Sequence, residues 1–201
     1  MQIERGLMDV VALGPGKRFA FWVNGCSRRC KGCVSPELQA PREENEQDVV
    51  DFLSRFNLTD VDGVTISGGE PFDQLSELER GVSYLYGLGI RDILVYTGYQ
   101  MEELEVRQDE RIRSILSKIA VLVDGPYIDE LNLDANNLKG SVNQRIHYCN
   151  PDFRGIYKAY QKERRTLQTF CVADREVAVG IPTRQQAACF LAGAYRPAKD
   201  K

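Results

Sequence analysis

Arg18-Phe19-Ala20-Phe21-Trp22-Val23-Asn24-Gly25-Cys26-Ser27-Arg28-Arg29-Cys30-Lys31-Gly32-Cys33 joins a compact apolar and aromatic run to a loop holding three cysteines. The run from Arg18 to Asn24 reads as a buried strand. Downstream, Val49, Phe52, Leu53 and Phe56 mark one face of a helix, and Gly63-Val64-Thr65-Ile66 reads as a second strand. Leu75, Leu78, Val82 and Leu85 recur at helical spacing, with Gly87 and Gly89 as a stop. Ile93–Tyr96 is expected to form a third strand, Ile112, Ile115, Leu116 and Ile119 to mark another helix, and Val121–Val123 to form a fourth strand. Strands alternating with helices imply an α/β fold with a mostly parallel sheet and right-handed crossovers.

The alternation stops near Asp124. A polar, loop-rich stretch follows, then a helix around Pro151–Arg164 and two segments, Thr166–Val172 and Glu176–Ile181, that flank a short turn as a hairpin. A short helix at Arg184–Leu191 completes the expectation. The chain thus divides into a core at 1–150 and a C-terminal extension at 151–201, packed on that core. No internal repeat or low-complexity segment interrupts either part.

The residues that look chemical all follow strands. The cysteine loop follows the first, Ser67-Gly68-Gly69-Glu70-Pro71 the second, Thr97-Gly98-Tyr99 the third and Asp124-Gly125-Pro126-Tyr127 the fourth. In parallel α/β folds the carboxyl ends of the strands form the ligand-binding edge. Four motifs at one edge point to one site.

Composition narrows the partners. The 201 residues are 43% hydrophobic and 27% charged, ordinary for a folded domain, and the net charge of −3 offers no broad attraction to nucleic acid or anionic lipid. No apolar run approaches the ~20 residues that span a bilayer. The N-terminus lacks the pattern of a secretory signal, so a cytoplasmic location is expected. Reducing conditions there argue against a disulfide framework for the six cysteines.

Cys26, Cys30 and Cys33 lie within eight positions, whereas Cys149, Cys171 and Cys189 are scattered. Thiolates are soft ligands for zinc, copper(I) or iron–sulfur clusters. No fourth cysteine is nearby, so a cluster held here would leave one iron open to a small molecule, the mark of a reactive site. A zinc module would show paired Cys-x2-Cys steps, and only one such step occurs. A chance group of inert cysteines is the remaining alternative. Thiols beside Arg28, Arg29 and Lys31 are expected, however, to be activated and exposed.

In Ser67-Gly68-Gly69-Glu70-Pro71 the glycines let the backbone come close to a ligand, and Glu70 adds an anionic acceptor suited to an ammonium group. Gly14-Pro15-Gly16-Lys17 lacks the flanking elements of a phosphate loop and reads as a turn. Lys158–Arg165 reads as a solvated helix face and His147 as structural. Surface pairing is the expected role of Arg145.

Cys-x3-Cys-x2-Cys followed one strand later by Gly-Gly-Glu-Pro resembles the radical S-adenosylmethionine (SAM) superfamily. With Tyr96–Tyr99, Val123–Tyr127 and Gly140–Ile146, and with Gly32 before the third cysteine, the chain over about residues 6–147 resembles the activating proteins of anaerobic ribonucleotide reductases and other glycyl-radical enzymes. The residue after Cys33 is Val34 where that group usually has an aromatic.

The resemblance implies an incomplete (β/α) barrel with a small C-terminal hairpin-helix addition. It implies that Cys26, Cys30 and Cys33 hold a [4Fe-4S] cluster whose fourth iron is chelated by SAM. Ser67, Gly68, Gly69, Glu70 and Thr97 would face SAM, and Gly32 and Val34 its adenine. The implied reaction is one-electron cleavage of SAM to a 5′-deoxyadenosyl radical, which installs a glycyl radical on a partner enzyme. A flavodoxin or ferredoxin would supply the electron. Modification of another peptide or a small molecule, and a non-catalytic electron-transfer or binding protein, are the alternatives.

Overall fold

Apolar runs become central strands when both of their faces are covered, and that is what happens here. The computed structural model describes residues 1–133, 137–172 and 175–186. Strand β1 (Ile3–Val10) runs antiparallel to β2 (Arg18–Val23). Strands β3 (Gly63–Gly68), β4 (Ile93–Tyr96) and β5 (Val121–Asp124) then add in parallel, and β6 (Arg145–Tyr148) returns antiparallel to β5. The spatial order is β1-β2-β3-β4-β5-β6, with a separate hairpin of β7 (Leu167–Val172) and β8 (Arg175–Gly180).

Side chains alternate across the sheet. Phe19, Phe21, Val64, Ile66, Ile93, Val95 and Leu122 share a core with the helices α1 (Val49–Ser54), α2 (Leu75–Gly87) and α4 (Glu110–Lys118). Val49, Phe52 and Leu53 from α1, Leu78, Val82 and Leu85 from α2 and Ile112 and Ile115 from α4 are all buried in it. Each such side chain contributes about 1.5–3 kcal/mol on burial. Asp48 starts α1 by accepting the amides of Val50 and Asp51, and Asp109 starts α4 by accepting that of Arg111. The short α3 (Met101–Val106) follows β4 with a capping box between Gln100 and Glu103.

The opposite face is covered by the C-terminal extension. Leu94, Val121 and Val123 pack with Tyr157 and Tyr160 of α5 (Arg154–Tyr160), and Ala20 packs with Val10, Leu13, Val179 and Ile181. The helix expected around 151–164 is thus shorter, a 3-10 turn at Pro151–Phe153 leading into α5. The expected hairpin is present. The short helix expected at 184–191 falls largely outside the described residues. Two strands were absent from the sequence reading, β1 and β6, both at sheet edges. The hairpin and α5 share this face of the sheet.

Arg18 anchors this second layer. Fully buried, it makes a bidentate pair with Asp92 at 2.9 and 3.1 Å and donates to Thr65 Oγ1 at 2.7 Å and to the carbonyls of Val64 and Pro15. The Tyr157 hydroxyl donates to the same Asp92 at 2.6 Å. A buried guanidinium is tolerated only with such complete pairing. Removing one partner strands the other, so Asp92→Ala is expected to cost roughly 3–5 kcal/mol, read as a lower urea midpoint. An unchanged midpoint would show that Arg18 reaches solvent instead.

Candidate functional site

The loops after β2, β3 and β4 meet at one sheet edge and bound a cleft of about 1270 Å³, part of it open to solvent. Cys26, Cys30 and Cys33 all line it, together with Ser67, Gly68, Gly69, Glu70, Thr97 and Val34. Gly32 does not. It sits exposed at φ +74° in the turn between Cys30 and Cys33, beside Asp129.

Close backbone contact builds this edge. The Gly69 amide donates to the Val23 carbonyl at 2.7 Å and the Glu70 amide to the Gly25 carbonyl at 2.8 Å. The cysteine loop closes on itself through the amides of Gly25 and Cys26, which donate to the carbonyls of Leu38 and Gln39 at 2.9 and 3.1 Å. A β-carbon on Gly69 would lie 2.1 Å from the Gly25 oxygen, and one on Gly68, at φ +113°, 2.3 Å from the Val23 nitrogen. The glycines read as an approach to a ligand therefore approach the root of the cysteine loop.

Glu70 is fully buried. Its Oε1 accepts from the Phe72 amide at 3.0 Å and from Thr97 Oγ1 at 2.8 Å, and its Oε2 accepts from the Gly98 amide at 2.7 Å. One carboxylate thus ties the β3 loop to the β4 loop. Burial pushes its carboxyl up to about 7, against the lowering effect of those three donors. Thr97 is held in turn, its amide donating to the Val123 carbonyl at 2.9 Å.

Asp73 was not anticipated from the sequence, and no spacing signal marks it. Its carboxylate accepts from the Ser27 amide at 2.7 Å, the Ser27 hydroxyl at 2.9 Å and the Tyr99 hydroxyl at 2.7 Å, which fixes the cysteine loop next to Cys26. Gln39 donates to the Cys30 carbonyl at 3.4 Å.

The cysteines correct one expectation. All three are only half-exposed, and burial pushes the thiols of Cys26 and Cys33 up rather than down. For Cys26 the charges of Glu70 and Asp73 add to the rise, and for Cys33 the other two cysteines do. Backbone hydrogen bonds from Arg29 and Arg28 lower Cys26 without offsetting its burial, and the Arg28 guanidinium is engaged elsewhere, pairing with Glu103 at 3.1 Å and lying over the Tyr99 ring. Thiols in this condition ionise when a metal displaces their protons.

Cys149 packs against the helix-side core, Cys171 is exposed on β7, and neither lines the cleft. Cys189 lies outside the described residues. Among the described residues no three His, Cys, Asp or Glu side chains converge on a single-ion site, the arrangement a zinc module needs. A cluster asks for less convergence, since each cysteine binds a different iron. Three thiols facing one cleft fit it.

The fourth loop carries structure. Burial raises the carboxyl of Asp124, but the hydrogen bonds from Arg145 and the Met101 amide outweigh it and hold it below the ordinary value. Arg145 also pairs with Glu102 at 2.6 Å, and His147 Nε2 lies 2.9 Å from Asp124 without hydrogen-bond geometry. The pairs of Arg145 with Glu102 and Asp124 match the pairing expected of it.

Comparison with known proteins fits this site. A model of the 4Fe-4S single cluster domain matches residues 12–147, and the chain belongs to that family. Among its relatives are three proteins named anaerobic ribonucleoside-triphosphate reductase-activating protein. The one from Salmonella typhi is 31% identical over 153 residues, 70% of this chain and 94% of the relative. That of Haemophilus influenzae is 31% identical over 144 residues, 67% and 89%, and that of Enterobacteria phage T4 is 30% identical over 152 residues, 72% and 90%. No helix among the described residues is long and apolar enough to cross a membrane.

Two tests follow from this geometry. Gly69→Ala sets a β-carbon against a backbone carbonyl that cannot swing away, so a loss of about 1–3 kcal/mol is expected, with less iron bound per chain. Wild-type stability would show that the loops part freely. In the cluster-free protein, folded Glu70 keeps its proton to about pH 7 whereas the unfolded chain loses it near 4.5. The folded state binds the extra proton between those values, so this group's stabilisation, full below 4.5, is lost as pH rises to about 7. Glu70→Gln is expected to flatten that slope in urea midpoints; the same slope in the variant would assign it to another group.

Proposed function

We propose that this protein is a radical SAM activating enzyme that installs a glycyl radical on an anaerobic ribonucleotide reductase. The observation that carries the reading is the meeting of three cysteines, and no fourth among the described residues, with the Ser67–Glu70 loop and Thr97 in one cleft at the carboxyl ends of parallel strands. The names of the relatives point to the partner.

The strand order also supports a barrel-type winding. β2, β3, β4 and β5 are adjacent in chain order with no reversal, so right-handed crossovers put every connecting helix on one face. A doubly wound sheet reverses its order at the ligand site. An open sheet wound one way is the expected form of an incomplete barrel.

A [4Fe-4S] cluster held by the cysteine loop would supply, with SAM bound and one electron from a donor, reductive cleavage of SAM and through it removal of a hydrogen atom from a glycine Cα. The chain's own part is to hold and position. Cys26, Cys30 and Cys33 would hold the cluster as thiolates. Ser67, Gly68 and Gly69 would offer backbone groups to SAM, and Glu70 would meet its ammonium, a contact that favours the ionised carboxylate. Thr97 positions Glu70. Val34 lines the cleft near Cys33 and is assigned to the adenine, with Gly32 shaping the turn that places it. Flavodoxin or ferredoxin is the class of electron donor proposed.

The test is anaerobic reconstitution followed by dithionite and SAM. A brown protein that forms 5′-deoxyadenosine is expected. Cys30→Ala should lose both the colour and at least 100-fold of the product (about 2.7 kcal/mol or more) while its circular dichroism is retained. A brown protein without product would identify an electron carrier, and normal activity in the variant would exclude the assigned ligands.

A further inference from the structure

Five consecutive residues of the extension, Val177 to Ile181, line the cleft that holds the three cysteines. Successive side chains of a strand point to opposite faces. An unbroken run along one cavity is therefore the signature of a strand that turns its edge, not its face, toward it. β8 pairs with β7 along its other edge, from Val172↔Arg175 to Leu167↔Gly180. Among the described residues, no group outside β7 hydrogen-bonds to the backbone of residues 176–181. An edge without a partner among the described residues is a template for another extended chain.

The edge is held rigidly. Gln168 on β7 accepts from the amides of Val11 and Ala12 at 2.6 and 3.0 Å and donates to the Asp9 carbonyl at 3.1 Å. Arg165 donates to Asn132 Oδ1 at 2.6 Å and to the carbonyls of Pro182 and Lys139 at 3.0 and 2.8 Å, which clasps the open end of the hairpin. Val179 and Ile181 are seated in the apolar layer with Val10, Leu13 and Ala20. The strand is ordered before any partner arrives, which lowers the cost of binding. The matched family region ends at residue 147, so this edge lies outside it.

We propose that the free edge of β8 is a docking rail, pairing backbone to backbone with an extended segment of the protein partner and setting it along the cysteine-lined cleft. The inference rests on the reading above that the substrate is a protein, and it names the substrate form, an extended peptide strand. Strand addition draws affinity from main-chain hydrogen bonds and selectivity from the pockets beside them. Here the half-buried Trp22 and Val177 flank the rail and favour apolar neighbours to the target residue.

The experiment leaves the protein unaltered and changes the probe. A fluorescent synthetic peptide spanning the radical-bearing glycine of the cognate anaerobic reductase is titrated anaerobically against the cluster-loaded protein with SAM. Two further peptides carry backbone N-methyl groups on alternate residues, one set in each register. In a paired strand only one register points its amides at the rail, so one set should weaken binding at least tenfold and the other less than twofold. Equal loss with both sets, or none with either, overturns the rail. No binding by the parent peptide, in a preparation that forms 5′-deoxyadenosine, also overturns it while leaving the SAM chemistry standing. A brown preparation that forms no 5′-deoxyadenosine removes the reading on which the rail rests.

Discussion

Everything at the functional edge depends on how closely two backbones approach each other. Gly68 and Gly69 run so near Val23 and Gly25 that a β-carbon on either would strike main-chain atoms. That approach permits the bonds from the Gly69 and Glu70 amides to the Val23 and Gly25 carbonyls. They fix the start of the cysteine loop relative to the second strand end. Glu70 then extends the constraint to the third strand end, because its carboxylate is shared by Phe72, Thr97 and Gly98. Three loops separated by dozens of residues behave as one unit.

A second constraint, at the other end of β2, decides what covers the opposite face of the sheet. Arg18 cannot be buried without Asp92, and Asp92 also accepts from Tyr157 of α5. This ties the extension to the start of the central strands. Tyr157 and Tyr160 cover one part of the sheet, and β8 with its neighbours covers another and lines the cleft that holds the cysteines. The extension is thus a wall of the cleft. Reactive chemistry at a half-open site needs such walls to exclude water and to admit one substrate geometry.

The sequence was most legible where one interaction dominates. β2 through β5 are continuous apolar runs because both faces are buried, and their positions could be read directly. β1 and β6 were not visible: Ile3–Val10 mixes Glu4, Arg5 and Asp9 into an edge strand, and Arg145–Tyr148 is a short polar edge fixed by its pairing with β5. Pairing across a sheet leaves little mark on the local pattern. The cysteine loop was legible from spacing alone, but the state of its thiols was not. Burial and the carboxylates of Glu70 and Asp73, brought in from another loop, outweigh the neighbouring arginines. The hairpin was legible too, whereas the placement of β8 along the cleft is a tertiary fact that no local pattern records.

The central claim is that three thiolates hold a cluster with a single iron left for SAM. Mössbauer spectroscopy of the iron-57 reconstituted protein, with and without SAM, tests it most directly. The account predicts that SAM shifts the signal of a single iron toward higher coordination and leaves the others unchanged. Four irons that respond alike, or a spectrum indifferent to SAM, would contradict it.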